Sequence, residues 1–129
     1  YTILNDVSAR DVQTAHKQWY FGKSLDGFTP IGPCIVTADA FADYPPRLGI
    51  RSFVNGEKRQ DSNTALQIFD IDHVIAELSQ GMTLKAGTII ATGTPAGVGM
   101  GMAPPQFLKP GDVVRCEIEG IGTLTNPVN

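Results

Sequence analysis

Two cysteines, two histidines and one tryptophan in 129 residues leave little material for the chemistries that depend on those side chains. Cys34 and Cys116 lie far apart, with no CxxC pair and no Cys/His cluster, so neither a structural zinc site nor a dithiol redox motif is expected. Each is flanked by strand-like residues, and both are read as reduced core thiols. No apolar run approaches the roughly 20 residues that a membrane helix needs. No secretory signal is visible either, and the expectation is a cytoplasmic protein with no membrane partner. A basic excess is also missing: ten Lys and Arg against thirteen Asp and Glu give a net charge of -3, which offers nucleic acid no electrostatic footprint. The sequence contains no GxSxG, no P-loop and no GxGxxG with a correctly spaced acidic residue, so serine-hydrolase, P-loop and dinucleotide chemistries lack support.

What is present is an ordinary globular composition, 42% hydrophobic and 18% charged, of a size that suits one domain with one core. Such a chain can bury roughly two-thirds of its unfolded surface. It opens inside an apolar, strand-like run, Tyr1-Thr2-Ile3-Leu4, which suggests a piece of a longer protein.

Strand patterns outnumber helical ones. Strands are expected at Tyr1 to Asp6, Pro33 to Ala38, Arg47 to Asn55, Lys58 to Gln60 and onward, Thr88 to Thr92 and Asp112 to Glu119, with a last short one through Leu124. Asn55-Gly56 is a strong hairpin signal. A first helix is expected from Ser8, with Asp11 as a capping-box variant, to about Gln18. In a second, Ile71, Val74, Ile75 and Leu78 form a core-facing stripe, Asp70 or Asp72 is the N-cap, and Gly81 lies just past the end. Gly22 to Pro33 reads as a loop, and Gly97 to Pro105 as a mobile one.

The densest polar cluster, Asn5-Asp6-Val7-Ser8-Ala9-Arg10-Asp11-Val12-Gln13, falls where a strand turns into a helix. Asp6 there either caps the turn or offers carboxylate oxygen to a hard cation. Arg10 either grips a substrate carboxylate with its planar fork or pairs with acidic neighbours. Lys23, in the Gly-rich loop, is either a solvated lysine or a cation aimed at an oxyanion. Thr92-Gly93-Thr94-Pro95 could receive a carboxylate or be only a turn. His16 and His73 lack ligand spacing and read as helical surface residues.

In order along nearly the whole chain run Asn5 to Gln13, Gly22-Lys23-Ser24, Val54-Asn55-Gly56-Glu57 with Arg59-Gln60, Thr92 to Pro95 with Gly97-Val98-Gly99, Leu108 to Asp112, and Glu119 to Leu124 with Asn126-Pro127. This series resembles the fumarylacetoacetate hydrolase family, with residues 1–129 matching the C-terminal part of one catalytic domain. The resemblance implies a mainly β (α+β) fold, a mixed β-sheet roll with two or three short helices, and a homodimer. It also implies one divalent cation, Mg or Mn and sometimes Ca, for which Asp6 matches the third of three carboxylates. The family's Glu-x-Glu pair and its His/Glu catalytic pair lie upstream of that position and have no counterpart here. Gly27 stands where some diketone hydrolases carry Thr.

By the same resemblance Lys23 is catalytic, stabilising an oxyanion or a metal-bound water, and Arg10, Gln13 and Thr94 bind a small 2-oxo acid. The implied activity is a metal-dependent C–C hydrolase or decarboxylase acting through an enolate. The run Asp26 to Pro33 resembles members that act in homoprotocatechuate breakdown and acylpyruvate hydrolysis. The alternatives are an isomerase or hydratase of aromatic catabolism, and a non-catalytic dimerising remnant.

Overall fold

The computed structural model describes residues 1–15 and 17–129. Its largest element is a four-stranded sheet in the order β4-β3-β5-β6, built from β3 (Gly49–Val54), β4 (Glu57–Asn63), β5 (Val113–Ile118) and β6 (Gly122–Pro127). A separate antiparallel ribbon pairs β1 (Ile3–Leu4) with β2 (Ile31–Gly32). Two helices, α1 (Arg10–Ala15) and α2 (Ile71–Gly81), and a few single 3-10 turns complete the chain, so the mainly β reading with two short helices holds.

The hairpin signal at Asn55-Gly56 is borne out. Both residues sit at positive φ, 52° and 84°, which gives the tight turn whose twist suits two antiparallel strands. The Asn55 amide also clips this turn to β5, donating to Asp112 Oδ1 at 2.8 Å while accepting from the Val113 amide at 2.9 Å. Side-chain alternation sorts the sheet into two faces. One carries Gln60, Ser52, Cys116 and Leu124 in a row across the four strands, with Val54, Val114 and Asn126 in the next. The other carries exposed charge, including the Arg51–Asp61 and Arg115–Glu117 pairs and Arg115 over the Phe53 ring.

The β1–β2 ribbon packs against β5 and β6, burying Ile3 with Val114 and Ile121. Asn5 Nδ2 reaches Asn126 Oδ1 at 3.2 Å, which fastens the end of β1 to β6. The polar cluster that follows Asn5 therefore hangs from the covered face of the sheet.

Several sequence expectations are corrected. The strand expected at Pro33 to Ala38 is displaced to Ile31–Gly32, because Pro33 has no N–H with which to extend the ladder. Val36 alone of that stretch bonds back, exchanging both backbone bonds with Tyr1. Thr88 to Thr92 forms no ladder among the described residues; side-chain bonds from β4 hold the segment just beyond it instead. Helix α1 begins at Arg10, not Ser8, and Lys17 at φ 51° has already left the helix. His16 lies outside the described residues.

Helix α2 is capped by Asp70, which accepts from the His73 amide at 2.8 Å, but Gly81 is its last residue rather than the one beyond it. Its stripe is not core-facing here. Ile71, Val74 and Leu78 are half-buried and Ile75 is exposed, because the flanking segments run as loops with exposed Leu66, Ile68 and Phe69 instead of closing a layer over it. His73 is an exposed helical residue, as read, stacked on Phe69. Cys34 is exposed rather than in the core, while Cys116 is half-buried; both are free thiols. The Gly97 to Pro105 stretch is tied at two points within it, by Gln106 N–H to the Gly99 carbonyl at 2.9 Å and by Arg59 Nη1 to Met102 Sδ at 3.0 Å. No helix among the described residues is long and apolar enough to cross a membrane.

Asp112 links two turns, because it also accepts from the Lys109 amide at 2.8 Å. The hydrogen bonds from Asn55 and then Lys109 hold its carboxyl below the ordinary range. A carboxyl depressed in the folded state contributes stability above its unfolded pKa of about 4 and loses it as pH falls through the folded value. Asp112→Ala is expected to flatten the acid limb of stability below roughly pH 4, measured as urea midpoint against pH. An unchanged acid limb would contradict this clip.

Candidate active site at the end of the first strand

Lys23 reaches its position through a close backbone approach. The 3-10 turn Phe21–Lys23 lies against α1, and the Gly22 carbonyl accepts from the Ala9 amide at 2.8 Å. A Cβ on Gly22 would stand 2.9 Å from the Ala9 carbonyl oxygen and 3.0 Å from both Gln13 N and Gln13 Cβ. Only glycine lets the turn come this near. The Lys23 ammonium consequently meets Asp6 Oδ2 as an ion pair and the Ser8 hydroxyl at 3.1 Å.

Ser8 therefore does not cap the helix. Its hydroxyl accepts from Lys23 and donates to the Asp6 carbonyl at 3.2 Å. Asp6 does not cap it either; it is the counter-charge of Lys23. Both side chains of the pair remain partly open to solvent, at 26% and 35%, so the pair is accessible to a small molecule.

At the start of α1, Arg10 Nη1 donates to Gln13 Oε1 at 2.7 Å. Gln13 is 4% exposed, the one buried polar residue among the described residues, and acts as a fixed anchor. It orients the guanidinium through one N–H and takes up none of the others. Arg10 thus pairs with Gln13, not with Asp11. Two side-chain pairs thus form, Asp6 with Lys23 and Arg10 with Gln13, and the Gly22 turn that carries Lys23 packs against Gln13.

Thr94 belongs to a second group. It is exposed, and its hydroxyl accepts from Gln60 Nε2 at 2.8 Å. Gln60 lies on the same sheet face as Asn126, to which the Asp6 segment is tied through Asn5, so both groups address one face of the sheet. Sequence reasoning singled out neither Gln60 nor Gly22 for a role. The signal for Gln60 was its place in the hairpin's second strand, an uncharged residue between the charged Arg59 and Asp61.

A divalent cation requires several oxygen ligands. Among the described residues no three His, Cys, Asp or Glu side chains converge, and Asp6 is already paired with Lys23. These residues supply one carboxylate and do not by themselves make a cation site.

Replacing Gly22 with Ala is expected to push the turn off α1, lowering stability by about 1–3 kcal/mol and separating Lys23 from Asp6. Thermal melts of Gly22→Ala check the first part; a wild-type melting point would show that the turn can relax freely.

Known proteins resemble this chain along nearly its whole length. Oxaloacetate tautomerase YisK of Bacillus subtilis is 51% identical over 128 residues, covering 99% of this chain and 42% of its own length. The mitochondrial oxaloacetate tautomerase fahd2 of Xenopus laevis is also 51% identical, over 99% of this chain and 40% of its own. The chain thus spans about two-fifths of the length of these curated relatives. The solved structure of the fumarylacetoacetate hydrolase EaFAH from the psychrophile Exiguobacterium antarcticum superposes with a TM-score of 0.95 at 55% identity, covering all of this chain and 46% of that one. Residues 1–129 match the model of the fumarylacetoacetate (FAA) hydrolase C-terminal family throughout, and the chain belongs to that family.

Proposed function

We propose that these residues form part of a site that interconverts the keto and enol forms of a 2-oxo acid, with an oxaloacetate-type dicarboxylate as the first substrate to try. The observation that carries this reading is the Lys23 ammonium, held against Asp6 and against Ser8, two residues before an Arg10 whose guanidinium is oriented by buried Gln13. The two relatives named as oxaloacetate tautomerases favour it over the C–C hydrolase or decarboxylase expected from the sequence.

In this reading Arg10 binds the carboxylate next to the 2-oxo group, by two parallel N–H bonds to its oxygens. That places the C2 oxygen toward Lys23. Tautomerisation breaks a C3–H bond and forms an O–H bond, or the reverse, and both directions pass through an enolate with negative charge on the C2 oxygen. A fixed ammonium at that oxygen lowers the cost of the enolate without reorganisation at the moment of reaction. Asp6 and Ser8 keep Lys23 in place, and water carries the proton to and from C3. Thr94 serves a substrate carboxylate from the other side of the same sheet face. C–C cleavage would need a further step after the same enolate, the departure of CO2 or an acyl group.

The divalent cation is a separate part of the proposal. Asp6 would be one of its ligands, Mg or Mn with Ca admissible, together with carboxylates from outside these residues, and no step above depends on it. Calorimetric Mn binding by the full protein, lost in Asp6→Asn, is the expected result; equal binding by that variant would remove Asp6 from the ligand set. A homodimer belongs to the same reading, supported by exposed Leu66, Ile68 and Phe69, which would gain cover in it.

Loss of the enol absorbance of oxaloacetate, followed with the full protein, tests the proposal. Lys23→Met is expected to lower kcat by about 10²- to 10³-fold, the usual cost of removing one oxyanion donor. A Lys23→Met enzyme with wild-type kcat would refute the assignment. A full protein inactive in both tautomerisation and pyruvate release would favour a non-catalytic dimerising domain instead.

A further inference from the structure

Gln60 makes three polar contacts whose directions can be assigned without seeing a hydrogen atom. Its Nε2 lies 2.8 Å from the Pro95 carbonyl oxygen and 2.8 Å from Thr94 Oγ1, and its Oε1 lies 2.7 Å from Ser52 Oγ. A backbone carbonyl only accepts, so the Gln60 atom facing Pro95 is the amide nitrogen. One amide hydrogen then goes to Pro95 and the other to Thr94. The amide oxygen faces Ser52, which must donate to it.

Donation therefore runs in one direction, from Ser52 to Gln60 to Thr94. The Thr94 hydroxyl cannot return its proton to Gln60, because a planar amide nitrogen has no free lone pair. Thr94 therefore accepts one bond from Gln60 and turns its own O–H away from it, on an exposed residue. An O–H presented outward in this way favours an acceptor, and the strongest acceptor is an anion.

The backbone supports the device. Ser52 and Gln60 are direct cross-strand partners, and the register slips immediately beyond them, where Phe53 pairs with Lys58 and Arg59 is the extra residue. The bulge gives Arg59 a separate task, binding Met102 Sδ and the Gln106 side chain, while Gln60 keeps the regular pairing that aims it at the Thr94 loop.

We infer that Ser52 and Gln60 are positioning residues that polarise Thr94 into a one-way hydrogen-bond donor for a substrate carboxylate. This rests on the reading of Thr94 given above and adds the reason its hydroxyl faces outward as a donor. Neither residue need touch the substrate.

The test uses the full protein with oxaloacetate. Thr94→Val should raise KM roughly tenfold or more, the scale of a lost hydrogen bond to a charged group, with kcat little changed. Gln60→Glu replaces the amide donor by a carboxylate that only accepts, so Thr94 must donate inward; KM should rise by a similar factor. Ser52→Ala, the milder change, should raise KM several-fold. In the Thr94→Val background neither should add more than about twofold, because the three residues act as one chain. Wild-type KM in Thr94→Val would overturn the reading of Thr94, and the inference with it. A raised KM in Thr94→Val overturns the inference alone if Ser52→Ala and Gln60→Glu leave KM unchanged. The same holds if their effects persist in full in the Thr94→Val background, or if they fall on kcat instead.

Discussion

The burial of Ile3 is the constraint on which the site depends. At 1% exposure it is the one large side chain fully enclosed among the described residues, and it is what presses the short β1 strand onto β5 and β6. A two-residue strand has too few backbone bonds to hold itself. Ile3 supplies the apolar contact, and Asn5, two residues on, supplies a directional one to Asn126. Between them they fix where the chain leaves the sheet, and so where Asp6, Ser8 and Arg10 begin. The Gly22 turn then completes the group from the other side, bringing Lys23 to Asp6 by an approach that a side chain at residue 22 would prevent.

Local chemistry was legible in the sequence; long-range partnership was not. Asn55-Gly56 could be read as a hairpin because two residues at positive φ make that turn without help from elsewhere. Asp70 could be read as an N-cap for the same reason, since its acceptor and the His73 amide are neighbours on the chain. Ser8 looked equally like a cap, but its hydroxyl is taken by Lys23, fifteen positions away, and nothing near Ser8 announces that. Thr88 to Thr92 has the composition of a strand and no ladder among the described residues, so propensity alone misjudged it. Asp6, Arg10, Gln13, Lys23 and Thr94 were singled out through an ordered set of motifs, whereas the pairing of Asp6 with Lys23 and of Arg10 with Gln13, and the bond from Gln60 to Thr94, required the fold.

The apolar stripe of α2 marks a second limit. Its period was read correctly, but period reports which residues want cover and not what supplies it. The chain exposes 8899 Å². A self-contained globular chain of this mass exposes roughly 6,600 Å². The difference is large, and it includes Ile68 at 92% exposure and the half-covered α2. In the candidate site one carboxylate stands beside one ammonium, and no cluster of three His, Cys, Asp or Glu forms among the described residues. Curated relatives more than twice as long carry this segment as a part.

In the proposed reading Lys23 and Arg10 serve an enolate whose fate is proton transfer rather than bond cleavage. The most direct measurement is NMR of oxaloacetate in deuterated water with the full protein, following deuterium at C3 and pyruvate together. The enzyme is expected to accelerate deuterium entry at C3 well beyond pyruvate formation. Pyruvate appearing as fast as the label enters would contradict it, and would return the site to carbon–carbon bond cleavage.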